Sequence, residues 1–261
     1  MRCLWLGRQD YATIWALQRA AVEARVANAC GDLLFLVEHG PTITLGRSAD
    51  ERHVLADPEE LARRGVGVYR IERGGDVTFH GPGQLVGYPI VDLAAMQPDL
   101  HWFLRGIEQS LILALAHLGI AAERLPPHTG VWVGGAKVAA IGIRVRRWVT
   151  MHGFALNVED DLSGFDAIVP CGLHGFSVTS VSRLLGRSVS LEEVAPLVLD
   201  GWRRTFGWRD EEKTWEPASL GSAVAGVLSG ATEMAPPHDV ACSHCPSEQD
   251  TGRQGGLVGR P

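Results

Sequence analysis

The chain has 261 residues, a hydrophobic content of 46% and a formal net charge of −6 at pH 7, enough for one domain with a full core and a tail. Its basic residues form no block beyond Arg144, Arg146 and Arg147, so nucleic-acid binding has little support. No apolar run approaches the roughly 20 residues that cross a bilayer, and the N-terminal run is too short for a signal peptide. We therefore expect a soluble cytoplasmic protein with no membrane or nucleic-acid partner.

Hydrophobic periodicity predicts strands interspersed with helices over about the first 210 residues. The predicted strands cover residues 4–6, 33–38, 42–45, 66–71, 85–93, 131–133, 137–145, 150–158 and 176–181. The predicted helices follow the capping residues Asp10, Asp57, Asp99 and Ser190 and end near residues 31, 65, 119 and 207. We expect one catalytic domain over residues 1–215 and a poorly structured tail over 216–261, because its end is rich in Gly, Pro and polar residues.

The five cysteines predict free thiols rather than a disulfide framework, because their number is odd and the chain is long. They are Cys3, Cys30, Cys171, Cys242 and Cys245. Cys242 and Cys245 have the spacing of half a zinc site, but a structural zinc site needs four ligands and no second half follows. We expect no metal.

The most unusual stretch is RGGDVTFHGPGQ, residues 73–84, which lies between two apolar runs. Glycine lets a backbone approach a ligand closely, since it has no Cβ and tolerates positive φ. Arg73, Thr78, His80 and Gln84 add a charge, a hydroxyl, an imidazole and an amide. Long loops in compact domains are often functional, so we interpret this one as wrapping a ligand; the alternative is an ordinary irregular connection.

Cys171 and Lys137 are candidates for covalent chemistry. Cys171 lies between Pro170 and Gly172, where the backbone geometry is unusual and the side chain can point into a cleft. A thiol is a nucleophile only as the thiolate and needs a nearby cation or base, for which Lys137 and His80 are available. A lone cysteine is more commonly a buried structural residue, and a lone lysine is more commonly solvated.

Three segments resemble, in the same order, the motifs of the lipoyl(octanoyl) transferase family, the octanoyl-acyl carrier protein:protein N-octanoyltransferases. They are RGGDVTFHGPGQLVGYPI from residue 73, GGAKVAAIGI from residue 134 and VPCGL from residue 169. The resemblance runs from about residue 4 to residue 210 and does not reach the tail. It implies an α/β fold shared with biotin and lipoate protein ligases, a mixed sheet flanked by helices in a single domain.

The resemblance also implies the roles of individual residues. Cys171 takes the octanoyl group as a thioester, while Lys137 lowers the pKa of the cysteine and relays protons. The implied substrate-binding residues are Arg73, Gly74, Gly75, Asp76, Val77, Thr78, Phe79, His80, Ala140, Ile141, Gly142, Gly153, Phe154 and Ala155. The small residues among them leave room for an acyl chain between strands. Backbone N–H groups beside Gly172 or in the glycine-rich loop are the hypothetical oxyanion donors.

The implied donor is octanoyl-acyl carrier protein, and the implied acceptors are lipoyl domains of 2-oxoacid dehydrogenase E2 subunits and the glycine cleavage H protein. No cofactor is expected, since the donor is already a thioester and the sequence has no Walker-type motif. The alternatives are an ATP-dependent lipoate or biotin ligase, a catalytically silent binding module, and a transferase between lipoyl-bearing proteins.

The alternation of apolar and basic residues from Ile143 to Arg146 predicts a strand with a solvated basic face that an acidic partner could contact.

Overall fold

The computed structural model describes residues 1–159, 161–172 and 175–208, together with residues 219, 221, 222 and 225; of Cys171, only the backbone is described. The end of the predicted tail, residues 236–261, and the half-site at Cys242 and Cys245 lie outside the described residues. Within them, no helix is both long and apolar enough to cross a membrane.

The described residues form ten strands and five α-helices. The strands are β1 Arg2–Gln9, β2 Leu33–His39, β3 Thr42–Leu45, β4 Gly67–Arg70, β5 Val77–His80, β6 Gln84–Ile90, β7 Glu123–Leu125, β8 His128–Val133, β9 Ala136–Arg146 and β10 Val149–Asn157. The helices are α1 Tyr11–Val26, α2 Pro58–Arg63, α3 Leu100–His117, α4 Val181–Leu185 and α5 Leu191–Phe206.

The strands form a large and a small sheet. The large sheet has the order β1-β2-β6-β10-β9-β8-β7, and the small sheet has the order β4-β3-β5. Both are mixed, since β1 and β2 are parallel, as are β3 and β4, whereas the other pairs are antiparallel. Helices pack on the sheet, which confirms the predicted mixed α/β fold.

Local sequence signals fix the helix starts. The side chains of Asp10, Asp57, Asp99 and Ser190 each accept a hydrogen bond from an N–H in the first turn of α1, α2, α3 and α5, so all four predicted caps are confirmed. A carboxylate or hydroxyl at this position satisfies a donor that the helix itself leaves open. A capping box has two hydrogen bonds, one accepted by the hydroxyl at the cap and one accepted by the carboxylate three residues later. Ser190 makes the first of these, whereas the carboxylate of Glu193 pairs with Arg187.

Three secondary-structure predictions need correction. Residues 77–80, predicted as loop, form β5, because Val77 and Phe79 alternate into a core and the backbone pairs with β3. Residues 176–181 are not a strand: Val178 makes a single parallel bridge to Lys137, and α4 begins at Val181. The short strand β7 was not predicted from the sequence.

Three hydrophobic cores hold these elements together. The first core fills the space between the large sheet and the helices α3 and α5, and it includes Phe103 and Trp202. The second lies on the opposite face under α1, around Ile14 and Phe35. The third joins the small sheet to residues 162–168. The large sheet is therefore covered on both faces, and the small sheet has its own support.

The predicted basic face of β9 is neutralised within the protein. Arg144 pairs with Glu72 at 2.9 Å, and Arg146 pairs with Glu23. Because these intramolecular carboxylates already neutralise the two guanidinium groups, the basis for an acidic partner at this strand is lost.

A close contact between α3 and α5 generates the first prediction. A Cβ at Gly201 would overlap the carbonyl oxygen of Ser110, and neither backbone can move away without disturbing the first core. We expect Gly201→Ala to lower the free energy of unfolding by about 1–3 kcal/mol, the usual cost of overpacking. Urea denaturation of both proteins measures the difference.

The matched control is Gly31→Ala, because the space around Gly31 is open and its φ is ordinary. Equal stability of the two variants would show that α3 and α5 do not approach each other this closely.

Candidate active site

A cavity of about 270 Å³ lies on the α1 side of the large sheet, over β6, β10 and β9. Its volume is close to the lower limit of small-molecule pockets, roughly 300 Å³. The lining residues are Tyr11, Arg73, Gly75, Asp76, Thr78, His80, Val86, Tyr88, Pro127, His128, Thr129, Lys137, Ala140, Ile141, Gly142, His152, Gly153, Phe154 and Ala155. Along β9 the lining runs from Lys137 to Gly142, about 17 Å at roughly 3.3 Å per residue. The cavity is therefore long and narrow.

The floor of the cavity is made of small residues in register. Ala140 faces Ala155 and Gly142 faces Gly153 across the β9–β10 pair. A Cβ at Gly142 would lie 2.8 Å from the carbonyl oxygen of Gly74, and the N–H of Gly74 donates to Ile143 O at 3.0 Å. The alanines therefore leave space above the sheet, whereas Gly142 lets the loop at residues 73–76 lie directly on β9.

The strand β5 divides its side chains between the cavity and the third core. Thr78 and His80 line the cavity, whereas Val77 and Phe79 pack beside Phe165. Among the substrate-binding residues suggested by the sequence, Gly74, Val77 and Phe79 are absent from the lining. The others, Arg73, Gly75, Asp76, Thr78, His80, Ala140, Ile141, Gly142, Gly153, Phe154 and Ala155, surround it together with Lys137.

A chain of side-chain amides fixes the tautomer of His80. Gln84 Nε2 donates to Phe79 O at 3.2 Å and to Asn157 Oδ1 at 2.9 Å, while Asn157 Nδ2 donates to Thr179 O at 3.0 Å. Gln84 Oε1 is consequently the acceptor that lies 2.8 Å from His80 Nδ1. His80 therefore carries its proton on Nδ1, which leaves Nε2 as an acceptor.

Burial keeps the histidines of this region neutral. Loss of hydration, reinforced by the neighbouring His39, lowers the pKa of His80 to about 3. Loss of hydration likewise lowers the pKa of His39 to about 4, and its ring bridges Gln9 O and the hydroxyl of Tyr88 at 2.9 and 2.8 Å. The cavity thus has a polar but uncharged imidazole wall at neutral pH.

His152 is a lining residue that the sequence analysis missed. Its backbone has φ of 58°, a conformation that non-glycine residues rarely adopt and that often marks functional positions. Burial lowers its pKa to about 4, although Nε2 lies 3.5 Å from Glu72 Oε2. A histidine followed by glycine within an apolar strand was the available signal. Tyr11 and Tyr88 were also missed, because both occupy ordinary apolar positions of their elements.

Lys137 is buried, with 6% of its surface exposed. Its Nζ lies 4.7 Å from the centre of the Trp132 ring, a cation–π distance. Gly130 has a φ of 135°, and a Cβ there would lie 2.7 Å from the carbonyl oxygen of Ala139, so this glycine lets β8 approach β9 closely beside Lys137. The backbone of Lys137 bonds to Ser177 O and Thr179 N at 2.9 and 3.0 Å, so the chain that follows the cysteine turn runs beside this lysine.

Cys171 belongs to a single turn of 3₁₀ helix, Pro170–Gly172. The N–H of Gly172 donates to Val169 O at 3.1 Å, which removes it as an oxyanion donor. In the described part of the chain, the amides of Gly75 and Asp76 in the cavity wall have no acceptor. An oxyanion role for the amides of the glycine-rich loop stays a prediction.

Comparison with known proteins places this geometry in a family. Residues 10–203 match the sequence model of the lipoyl protein ligase A/B catalytic domain. The chain is 49% identical over 227 residues to the octanoyltransferase of Gloeobacter violaceus, covering 86% of this chain and 97% of that protein. It is 50% identical over 194 residues to the octanoyltransferase of Chloroflexus aurantiacus, covering 73% and 87%. The chain belongs to the lipoyl protein ligase A/B catalytic domain family, as the motifs predicted.

Two solved structures with this fold are more distant in sequence. A bipartite lipoate protein ligase of Thermoplasma acidophilum has a TM-score of 0.63 and 17% identity, covering 89% of this chain and 94% of that one. A lipoate-protein ligase A bound with ATP has a TM-score of 0.64 and 17% identity, covering 88% and 95%. At this identity the likeness shows a shared fold and leaves the reaction open.

The buried histidines generate a prediction on stability. An unfolded histidine has a pKa near 6.5, whereas His80 and His39 have folded pKa values of about 3 and about 4. Between those values the unfolded chain binds more protons, so the free energy of unfolding falls as pH drops from about 6.5 toward 4, by at most about 1.4 kcal/mol per pH unit for each histidine.

Urea denaturation across this pH range measures the slope. The double variant His39→Gln and His80→Gln should have a shallower slope than the wild type, whatever its absolute stability. The same slope in both proteins would contradict the assignment of neutral, buried imidazoles.

Proposed function

We propose that this protein is an octanoyltransferase that works through an acyl thioester on Cys171. It transfers an octanoyl group in protein lipoylation, from octanoyl-acyl carrier protein to a lysine of an apo lipoyl domain. The observation that carries this proposal is the 49% identity over almost the full length of a protein named octanoyltransferase. The proposed catalytic domain covers residues 1–215, and residues 216–261 are a tail to which we assign no function.

The shape of the cavity supports an acyl chain as the ligand. The paired alanines and glycines of β9 and β10 leave a narrow slot along the sheet, and an extended aliphatic chain has the matching shape. Burial of each CH₂ group contributes about 0.8 kcal/mol. The slot begins at Lys137, so an acyl group attached beside that lysine would extend toward Gly142.

The proposed reaction has two acyl transfers. In the first, the Cys171 thiolate attacks the carbonyl carbon of the donor thioester, and the donor thiolate leaves. One thioester replaces another, so the free energy changes little. In the second, the acceptor amine attacks the acyl-cysteine, an amide forms and the Cys171 thiolate leaves, which is downhill. No nucleotide is consumed, and no cofactor is required.

Lys137 fits both transfers. As an ammonium it stabilises the Cys171 thiolate, and as an amine it accepts the proton that the attacking lysine of the lipoyl domain loses. Burial of Lys137 strengthens its electrostatic effect on neighbouring groups, because little water remains to screen it. The acceptors we propose are the lipoyl domains of 2-oxoacid dehydrogenase E2 subunits and the glycine cleavage H protein. Both partners are soluble carrier proteins, and we place the reaction in the cytoplasm.

The covalent intermediate can be tested directly. Mixed with octanoyl-acyl carrier protein, the wild type should gain one octanoyl mass on a peptide containing Cys171, and lose it when an apo lipoyl domain is added. Cys171→Ala should remain folded and show neither adduct nor transfer. Intact-protein mass spectrometry, with circular dichroism to verify folding, makes both measurements.

The competing reaction is ATP-dependent ligation. The wild-type protein would be a ligase if it formed no adduct with the donor and instead modified the lipoyl domain when given free octanoate and ATP. Transfer by Cys171→Ala would exclude the acyl-cysteine mechanism.

Removal of the lysine amine should slow the reaction while leaving the fold intact. Lys137→Ala should lower kcat by roughly 10²- to 10⁴-fold, the range for loss of an acid–base group. Lys137→Arg is the comparison, because arginine keeps the positive charge but stays protonated at neutral pH and cannot accept a proton. In Lys137→Arg, the rate of the first transfer should fall less than the rate of the second. Quenched-flow assays of each half-reaction measure this, and an unchanged kcat in Lys137→Ala would refute the role.

A further inference from the structure

A buried histidine, His152, lies at the end of the cavity that is remote from Lys137. On β10 it is paired with Ile143, one step beyond the Gly142–Gly153 pair of the cavity floor. Ile143 is six positions after Lys137 along β9, so the two ends lie about 20 Å apart at roughly 3.3 Å per residue. Only 2% of the surface of His152 is exposed, and it lines the cavity. His152 is therefore part of the far end of the slot.

The backbone turns this imidazole onto the face of the sheet that carries the cavity. In a regular strand His152 would share a face with Phe154, which packs in the first core on the side of α3 and α5. Instead, His152 has a φ of 58°, and its Nε2 lies 3.5 Å from Glu72 Oε2. Glu72 Oε2 also accepts a hydrogen bond from Trp15 of α1 at 3.2 Å. A strained backbone thus holds a polar ring on the α1 face of the sheet.

Three buried polar atoms of this region have no hydrogen-bond partner among the described residues. They are Nδ1 and Nε2 of His152 and Nε2 of Gln18, a fully buried side chain of α1. Gln18 Oε1 accepts from the backbone N–H of His152 at 2.9 Å, so the amide group lies against the same part of β10. The contact between His152 and Glu72 is longer than an ordinary hydrogen bond. Glu72 instead pairs with Arg19 and Arg144 at 3.1 and 2.9 Å.

These unpartnered groups make the far end of the slot polar. Burial lowers the pKa of His152 to about 4, so at neutral pH one ring nitrogen donates a hydrogen bond and the other accepts one. Buried polar atoms nearly always have a partner, and water is that partner where the protein supplies none. A methyl group that displaces such a water makes none of its hydrogen bonds, and binding is weakened.

We propose that His152 is a specificity-determining residue and that, with Gln18, it forms a polar end wall that limits the length of the acyl chain. This inference rests on the proposed function, because it takes the acyl chain to run from Lys137 toward Gly142. An octanoyl chain ends on the floor of paired alanines and glycines. A chain two carbons longer brings its methyl end to the imidazole and the amide. A site whose buried polar groups lose their partners rejects that ligand.

The test is a competition between two donors, octanoyl- and decanoyl-acyl carrier protein, for a limiting amount of enzyme. Intact-protein mass spectrometry, on samples quenched before the adducts exchange, gives the ratio of the two acylation rates. This ratio equals the ratio of kcat/KM values and is independent of the fraction of protein that is folded. His152→Met should raise the decanoyl-to-octanoyl ratio about tenfold above the wild type, the lower end of the discrimination that pocket contacts provide.

The matched control is His152→Gln. Glutamine and methionine have nearly the same size and the same strain at a positive φ, but only glutamine keeps a donor and an acceptor. The ratio in His152→Gln should therefore stay close to that of the wild type. Gln18→Met tests the second polar group at an ordinary helical position of α1, and it should raise the ratio in the same direction as His152→Met.

Equal ratios in His152→Met and His152→Gln would show that only the size of the side chain matters and would overturn the inference. A wild-type protein that takes both donors equally would also overturn it, and in both cases the proposed function stands because the octanoyl adduct still forms. If neither His152 variant is acylated, Gln18→Met decides, and an unchanged ratio there counts against the end wall. A wild-type protein that takes no acyl group overturns the proposed function and this inference together.

Discussion

The site depends on close packing of the glycine-rich loop, residues 73–76, against three other segments of backbone. The backbone of Gly74 lies on β9 at Gly142, and Gly46 is so close to Gly75 that a Cβ there would overlap its carbonyl oxygen. The side-chain carboxylate of Asp76 lies against the backbone of Gly172. These contacts leave no room for side chains, and they bring the cavity roof, the sheet and the cysteine turn together. The glycines of the motif are thus needed for assembly of the site as much as for ligand contact.

Desolvation sets the chemical character of the cavity. Three imidazoles, those of His39, His80 and His152, have pKa values lowered by burial to between about 3 and about 4. A neutral imidazole accepts or donates hydrogen bonds without adding charge to the cavity. The ionisable side chains of Arg73, Asp76 and Lys137 line the same cavity. Uncharged imidazoles and ionisable groups therefore share one lining.

Much of this structure was predictable because its signals are local. Helix caps such as Asp10 and Ser190 depend on a few neighbouring residues, and the strands of the large sheet follow apolar runs. The alternation of Val77 to His80 was also a strand signal, but the surrounding glycines obscured it. The contact of His53 with Gly172 was not predictable, since His53 lies in a polar segment and the contact results from backbone pairing with residues more than a hundred positions away. Such long-range contacts leave no pattern in a single sequence.

The alternation of β5 has a consequence for how the protein can change through evolution. One side of this strand is a wall of the cavity, and the other side is anchored in the third core by Val77 and Phe79. Side chains are close-packed in such cores, so a change of volume at Ile43 or Phe165 moves the wall although neither residue contacts the cavity. The shape of the cavity can therefore drift through substitutions behind the wall, with every lining residue retained.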